Sequence, residues 1–193
     1  MSTHHCFQGV AAEAQYEPAG TCSFIAGLET YKATPQDKAA DLALRGKVLY
    51  LPDGFGLAKH NKKLADLYAE RGYETTVVDY FEGDALPEIF MQYMPGTDID
   101  TYDNFTAEAF LEPSDLHGLN KPTFVGVAET DVFTPDLTET LVGKLPRCGA
   151  MWKLVIYGGT KHGFASRVDA EDEVAVKMFE QAFDDGLQWM EMS

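Results

Sequence analysis

Lys47-Val-Leu-Tyr-Leu-Pro-Asp-Gly-Phe-Gly56, then Lys59-His-Asn-Lys-Lys-Leu-Ala-Asp-Leu-Tyr-Ala-Glu-Arg71, then Glu74-Thr-Thr-Val-Val-Asp79, reads as strand, turn, helix and strand. The first run is short and continuously apolar, as in a buried parallel strand. In the second, Leu64, Leu67 and Tyr68 recur at helical spacing, and Gly72 supplies a stop. Such a succession is a βαβ unit, whose crossover is right-handed.

A second unit of the same kind lies further on. Thr123-Phe-Val-Gly-Val-Ala-Glu-Thr130 is its first strand, a helix is expected from Thr134-Pro-Asp136, and Trp152 to Gly158 is its second strand. A long amphipathic helix from about Glu171 to Met190 closes the chain, with Val174, Met178, Phe179, Phe183, Leu187 and Met190 on its apolar face. Gly186 is expected to weaken its last turn. Leu28 to Thr34 reads as a short strand at a sheet edge. The stretch before it, to about Gly27, and the Gly-, Pro- and acid-rich stretch after Asp79 carry no regular period. The class is therefore α/β: a doubly wound, mostly parallel sheet flanked by helices, in one domain spanning 1–193.

Composition narrows the function. The 193 residues are 45% hydrophobic, and 31 acidic against 15 basic residues give a net charge of −16. A field of that sign repels nucleic acid and anionic lipid, so neither nucleic acid nor membrane is an expected partner. Three cysteines, Cys6, Cys22 and Cys148, have no Cys-X-X-Cys spacing, against a disulfide framework or structural zinc. With no apolar leader at Met1 and no bilayer-length apolar run, the expected setting is cytoplasmic. Asn104-Phe-Thr106 is then a chance match to a glycosylation acceptor. Ser2-Thr-His4 could bind copper only with a free amine at Ser2, and the acidic run 98–103 lacks the glycine and spaced oxygens of a calcium loop, so no metal is expected.

Chemistry gathers at two strand ends. Asp131 follows the strand from Thr123, and His162 follows the strand from Trp152, the order of acid and base in a nucleophile–acid–histidine relay. A Gly-X-Ser/Cys-X-Gly turn, which would carry the nucleophile, occurs nowhere in the chain. Cys148 comes after Asp131 and reads as a half-exposed loop thiol. Ser114 reads as a helix cap, and Ser166 is expected to face solvent. The nucleophile is therefore unassigned.

Taken together, Cys6-Phe-Gln-Gly9, Ile25 to Tyr31, Leu49 to Gly56, Asn61 to Asp66, Asp79 to Asp84, Ala128 to Asp131 and Lys161-His-Gly-Phe164 resemble the fungal-type branch of the dienelactone hydrolase family. The resemblance implies an α/β-hydrolase fold and hydrolysis of small lactones or activated esters by a Cys-His-Asp triad without metal or organic cofactor. By motif, Asp131 would be the acid and His162 the base. Gly54 would offer its backbone N–H to the oxyanion, and Asp53 would stand at the edge of the site. Family members carry a helix, a central strand with the nucleophile elbow, a further helix and a further strand where this chain passes from Phe105 almost directly to Leu111. An internal deletion near 105–112 is therefore expected. With it come impaired hydrolysis and either a destabilised domain, a homodimer that repairs the exposed edge, or poor folding, direct closure of the flanking strands into a narrower sheet being the preferred arrangement. The alternatives are a non-catalytic binding protein derived from the hydrolase, or an unstable product.

Overall fold

A computed structural model describes residues 16–35, 44–85, 121–130, 136–169 and 171–192. It falls into two compact units, residues 11–93 and a second made of 1–10 with 94–193.

In the first unit, β1 (Thr21–Ile25), β2 (Leu28–Ala33), β3 (Gly46–Tyr50) and β4 (Tyr73–Val78) form a sheet in the order β1-β2-β4-β3. The βαβ reading holds: β3 and β4 are parallel, with Val48 opposite Thr75, and α1 (Lys59–Glu70) connects them. On β4, Tyr73, Thr75 and Val77 alternate inward. Tyr31, Ala33 and Val77 pack with Ala65 and Ala69 of α1, whose small side chains let helix and sheet approach closely.

The edge expected at Leu28 to Thr34 is corrected. Strand β2 lies inside the sheet, antiparallel to β1 on one side and to β4 on the other. Strand β1 was illegible because all five of its residues, Thr-Cys-Ser-Phe-Ile, are exposed, so no apolar alternation marks it. It is held by a hairpin whose turn residues Ala26 and Gly27 have φ of 53° and 88°, the left-handed pair that matches strand twist.

A buried carboxylate ties the N-terminal segment to α1. Asp66 accepts hydrogen bonds from the Tyr16 hydroxyl, from Tyr31 Oη at 2.7 Å and from Ala19 N at 2.8 Å. Three donors offset the desolvation that an 8%-exposed aspartate would otherwise suffer.

In the second unit, β5 (Thr123–Thr130) and β6 (Trp152–Lys161) are parallel, joined through α2 (Asp136–Lys144) and a 3₁₀ turn at Leu145–Arg147. The second βαβ unit is thus present, its proposed start at Thr134 and Pro135 lying outside the described residues. Val127, Leu141 and Leu145 pack on one side of this pair, and Ala128, Tyr157 and Phe164 form a cluster with Met178 and Ala182 of α3 (Glu173–Met192). Helix α3 starts two residues later than read, because Asp172 caps it, its carboxylate accepting from Val174 N and Ala175 N at 3.0 and 3.1 Å. It continues through Gly186. Its buried residues are Phe183, Leu187 and Trp189, whereas Val174 is 52% exposed.

The described strands form a four-stranded and a two-stranded sheet.

Candidate active site

The turn after β3 is built by four side chains. Tyr50 Oη donates to Asn61 Oδ1 at 2.6 Å, and Asn61 Nδ2 donates to Asp53 Oδ1 and to the Gly56 carbonyl, both at 2.9 Å. His60 Nε2 lies 3.2 and 3.1 Å from the two carboxylate oxygens of Asp53. Asp53 also closes the turn on itself, its Oδ1 accepting from Phe55 N at 3.2 Å and its carbonyl from Gly56 N at 3.0 Å. These bonds leave the intervening Gly54 N–H without an acceptor among the described residues. Tyr80 Oη donates to the Pro52 carbonyl at 2.7 Å, and burial, then the charges of Asp53 and Asp79, push its phenol up.

His60 and Asn61 were not singled out from the sequence as a site. They sit four residues before Leu64 and Ala65, on the stripe that faces the sheet, and are 7% and 0% exposed. Two adjacent polar residues on the inward stripe of a helix are the signal that could have found them, because buried polar groups need fixed partners.

In the second unit, His162 follows β6 and is half-buried. Its position depends on an irregularity in the strand. Ala128 pairs with Tyr157 but Thr130 with Lys161, so β6 carries two extra residues against β5. The bulge is fastened by Gly159 N to Glu129 Oε2 at 2.6 Å and by Thr160 Oγ1 to the Tyr157 carbonyl at 2.6 Å. Gly159 has φ of 75°, and Gly163, directly after His162, has φ of 85°. A Cβ on Gly163 would stand 2.5 Å from Arg167 Nη2. The turn is then pinned by Phe164, buried against Tyr157 with ring centroids 5.2 Å apart.

Asp131 lies outside the described residues, as do Ser114, Cys6 and the segment 105–112. Cys148 is half-buried, as read, with its thiol 3.8 Å from the Ala150 carbonyl. Ser166, expected to face solvent, is half-buried, since its backbone N–H turns in to the Gly163 carbonyl at 3.0 Å. Among the described residues, no cluster of three or more His, Cys, Asp or Glu could hold a metal ion, and no helix is long and apolar enough to cross a membrane.

No family model matches the chain. Dienlactone hydrolase 1 of Gibberella moniliformis is 45% identical over 71 residues, which are 36% of this chain and 26% of that protein. The match thus spans about a quarter of that relative's length. Hydrolase pyvD of Aspergillus violaceofuscus is 24% identical over 226 positions, covering 90% of each chain. The solved structure of a putative dienelactone hydrolase from Klebsiella pneumoniae superposes with a TM-score of 0.51 at 18% identity, covering 81% of this chain and 91% of that one. The class is therefore the α/β-hydrolase fold. Within it, the relatives found by sequence make this a dienelactone-hydrolase-like chain.

Proposed function

We propose that residues 1–193 form one dienelactone-hydrolase-like domain for small esters or lactones, in which the acid, base and oxyanion donor persist and the elbow nucleophile is missing. The observation that carries this reading is the turn Asp53 to Gly56, in which surrounding hydrogen bonds are made and the Gly54 N–H is left uncommitted. An N–H held in this way, before any ligand arrives, is what a developing oxyanion needs; removing such a donor typically costs about 2.7 to 4 kcal/mol of transition-state stabilisation. Asp53 stands beside that donor. Asp131 orients His162, and His162 takes a proton from the attacking group and returns it to the leaving group. Without a nucleophile the attacking group is water, and the rate falls because oriented covalent attack is lost. The reading needs no metal or organic cofactor; its expected setting is the cytoplasm and its expected assembly a homodimer.

The alignment with Hydrolase pyvD runs over 226 positions, more than the 193 residues of this chain, so at least 33 of them face a gap on this side, and a deletion near 105–112 would account for such a gap. With no Gly-X-Ser/Cys-X-Gly sequence anywhere, the same observation favours a second reading, a binding protein derived from the hydrolase. Hydrolysis of p-nitrophenyl acetate by the purified chain, beside His162→Ala and Cys148→Ala, separates the two. Slow turnover that His162→Ala abolishes and Cys148→Ala leaves intact is expected. Equal rates in all three would leave only the binding reading.

A further inference from the structure

We propose that His60 is a positioning residue for the oxyanion turn, an inference that rests on reading Gly54 as the oxyanion donor. Facing a carboxylate at 3.1 and 3.2 Å, His60 Nε2 carries the proton and donates it to Asp53. Asn61 Nδ2 and Phe55 N both bond Oδ1, so His60, by also reaching Oδ2, holds the carboxylate at its second oxygen. The carboxylate so held accepts from Phe55 N, which orients the Gly54–Phe55 peptide, while the Asp53 carbonyl, accepting from Gly56 N, orients the Asp53–Gly54 peptide that carries the Gly54 N–H. The ring itself is held edge-on to Phe55, with centroids 5.8 Å apart at 79°. His60 therefore grips the turn twice, through Asp53 before Gly54 and through the Phe55 ring after it.

A purely structural role does not account for the choice of histidine. The adjacent Asn61 already supplies Asp53 Oδ1 with a buried donor and has its own carbonyl satisfied by Tyr50. In contrast, Nδ1 of His60 has no hydrogen-bond partner among the described residues, although the ring is only 7% exposed. Buried polar atoms without partners are rare and are retained where they are used. The contacts of the ring are thus concentrated on its Nε2 edge, against Asp53, where it holds the turn.

The test uses the full chain with His60→Phe, which keeps the ring and its contact with Phe55, and His60→Gln, which keeps a donor near Nε2. Two readouts are taken: ester turnover, and the backbone amide signals of Gly54 and Phe55 by nuclear magnetic resonance. In His60→Phe, kcat is expected to fall about 10- to 100-fold with KM little changed, the size of effect a small misplacement produces. The Gly54 and Phe55 amide signals shift with it. His60→Gln restores both. Amide signals that stay in place in His60→Phe, or equal disturbance in the two variants, would overturn the proposal. If the unaltered chain shows no turnover, the hydrolase reading fails alone, and the amide signals still decide what His60 does.

Discussion

Asn61 is fully buried and all three of its hydrogen bonds are made within the turn it stabilises. Replacing it with leucine keeps the volume and removes a partner from Tyr50, Asp53 and Gly56 together. A loss of about 2 to 4 kcal/mol is expected, larger than most single substitutions cause, and urea denaturation measures it. The tyrosines make a second prediction. Burial and then the hydrogen bond to Asp66 push the phenols of Tyr16 and Tyr31 up, and burial followed by the hydrogen bond to Asp185 does the same for Tyr157. The native state therefore keeps protons that the unfolded chain releases. Stability from these groups is complete below the ordinary tyrosine pKa of about 10 and is lost as pH rises beyond it. The denaturation midpoint should fall above about pH 10, with tyrosinate absorbance rising in the same range, and Tyr31→Phe should make that fall shallower.

Among the elements, the β1–β2 hairpin carries avoidable strain. Ala26 has φ of 53°, where a Cβ is disfavoured, at a position that in two-residue hairpins prefers asparagine before glycine. Ala26→Asn should stabilise the first unit by about 0.5 to 1 kcal/mol, read as a higher urea midpoint with an unchanged slope. The same hairpin shows where sequence reading stops. Strands β3 and β5 were visible as short apolar runs, although only Val127 and Ala128 among the described side chains of β5 are buried and Leu49 of β3 is 68% exposed, and α1 and α3 because a stripe of their residues is buried. Strand β1 was not, because a strand with every side chain exposed has no pattern, and its existence rests on backbone pairing alone. The site divides in a similar way. His162 stood out from its place after a strand, whereas Asp53 and Gly54 were singled out only by the family resemblance. The bulge that aims His162 was not legible, since Gly158-Gly159 reads equally as a strand terminus.

At the scale of the whole molecule, charge dominates. A net charge of −16 on 193 residues sets like charges against one another throughout the folded chain. Raising sodium chloride from about 10 mM to about 200 mM shortens the screening length and should raise the thermal midpoint. A midpoint that stays level would mean that ion pairs such as Lys153–Asp185, at 2.6 Å, lose as much to screening as the remaining repulsions gain.

The hydrogen bonds that shape the turn from Asp53 to Gly56 join residues 5, 7, 8 and 11 positions apart. Their closure entropy is small, so this part of the molecule can assemble early in folding and without waiting for distant contacts. The loss of a block from the middle of such a chain would leave a turn of this kind intact, because nothing in its construction reaches that far along the sequence.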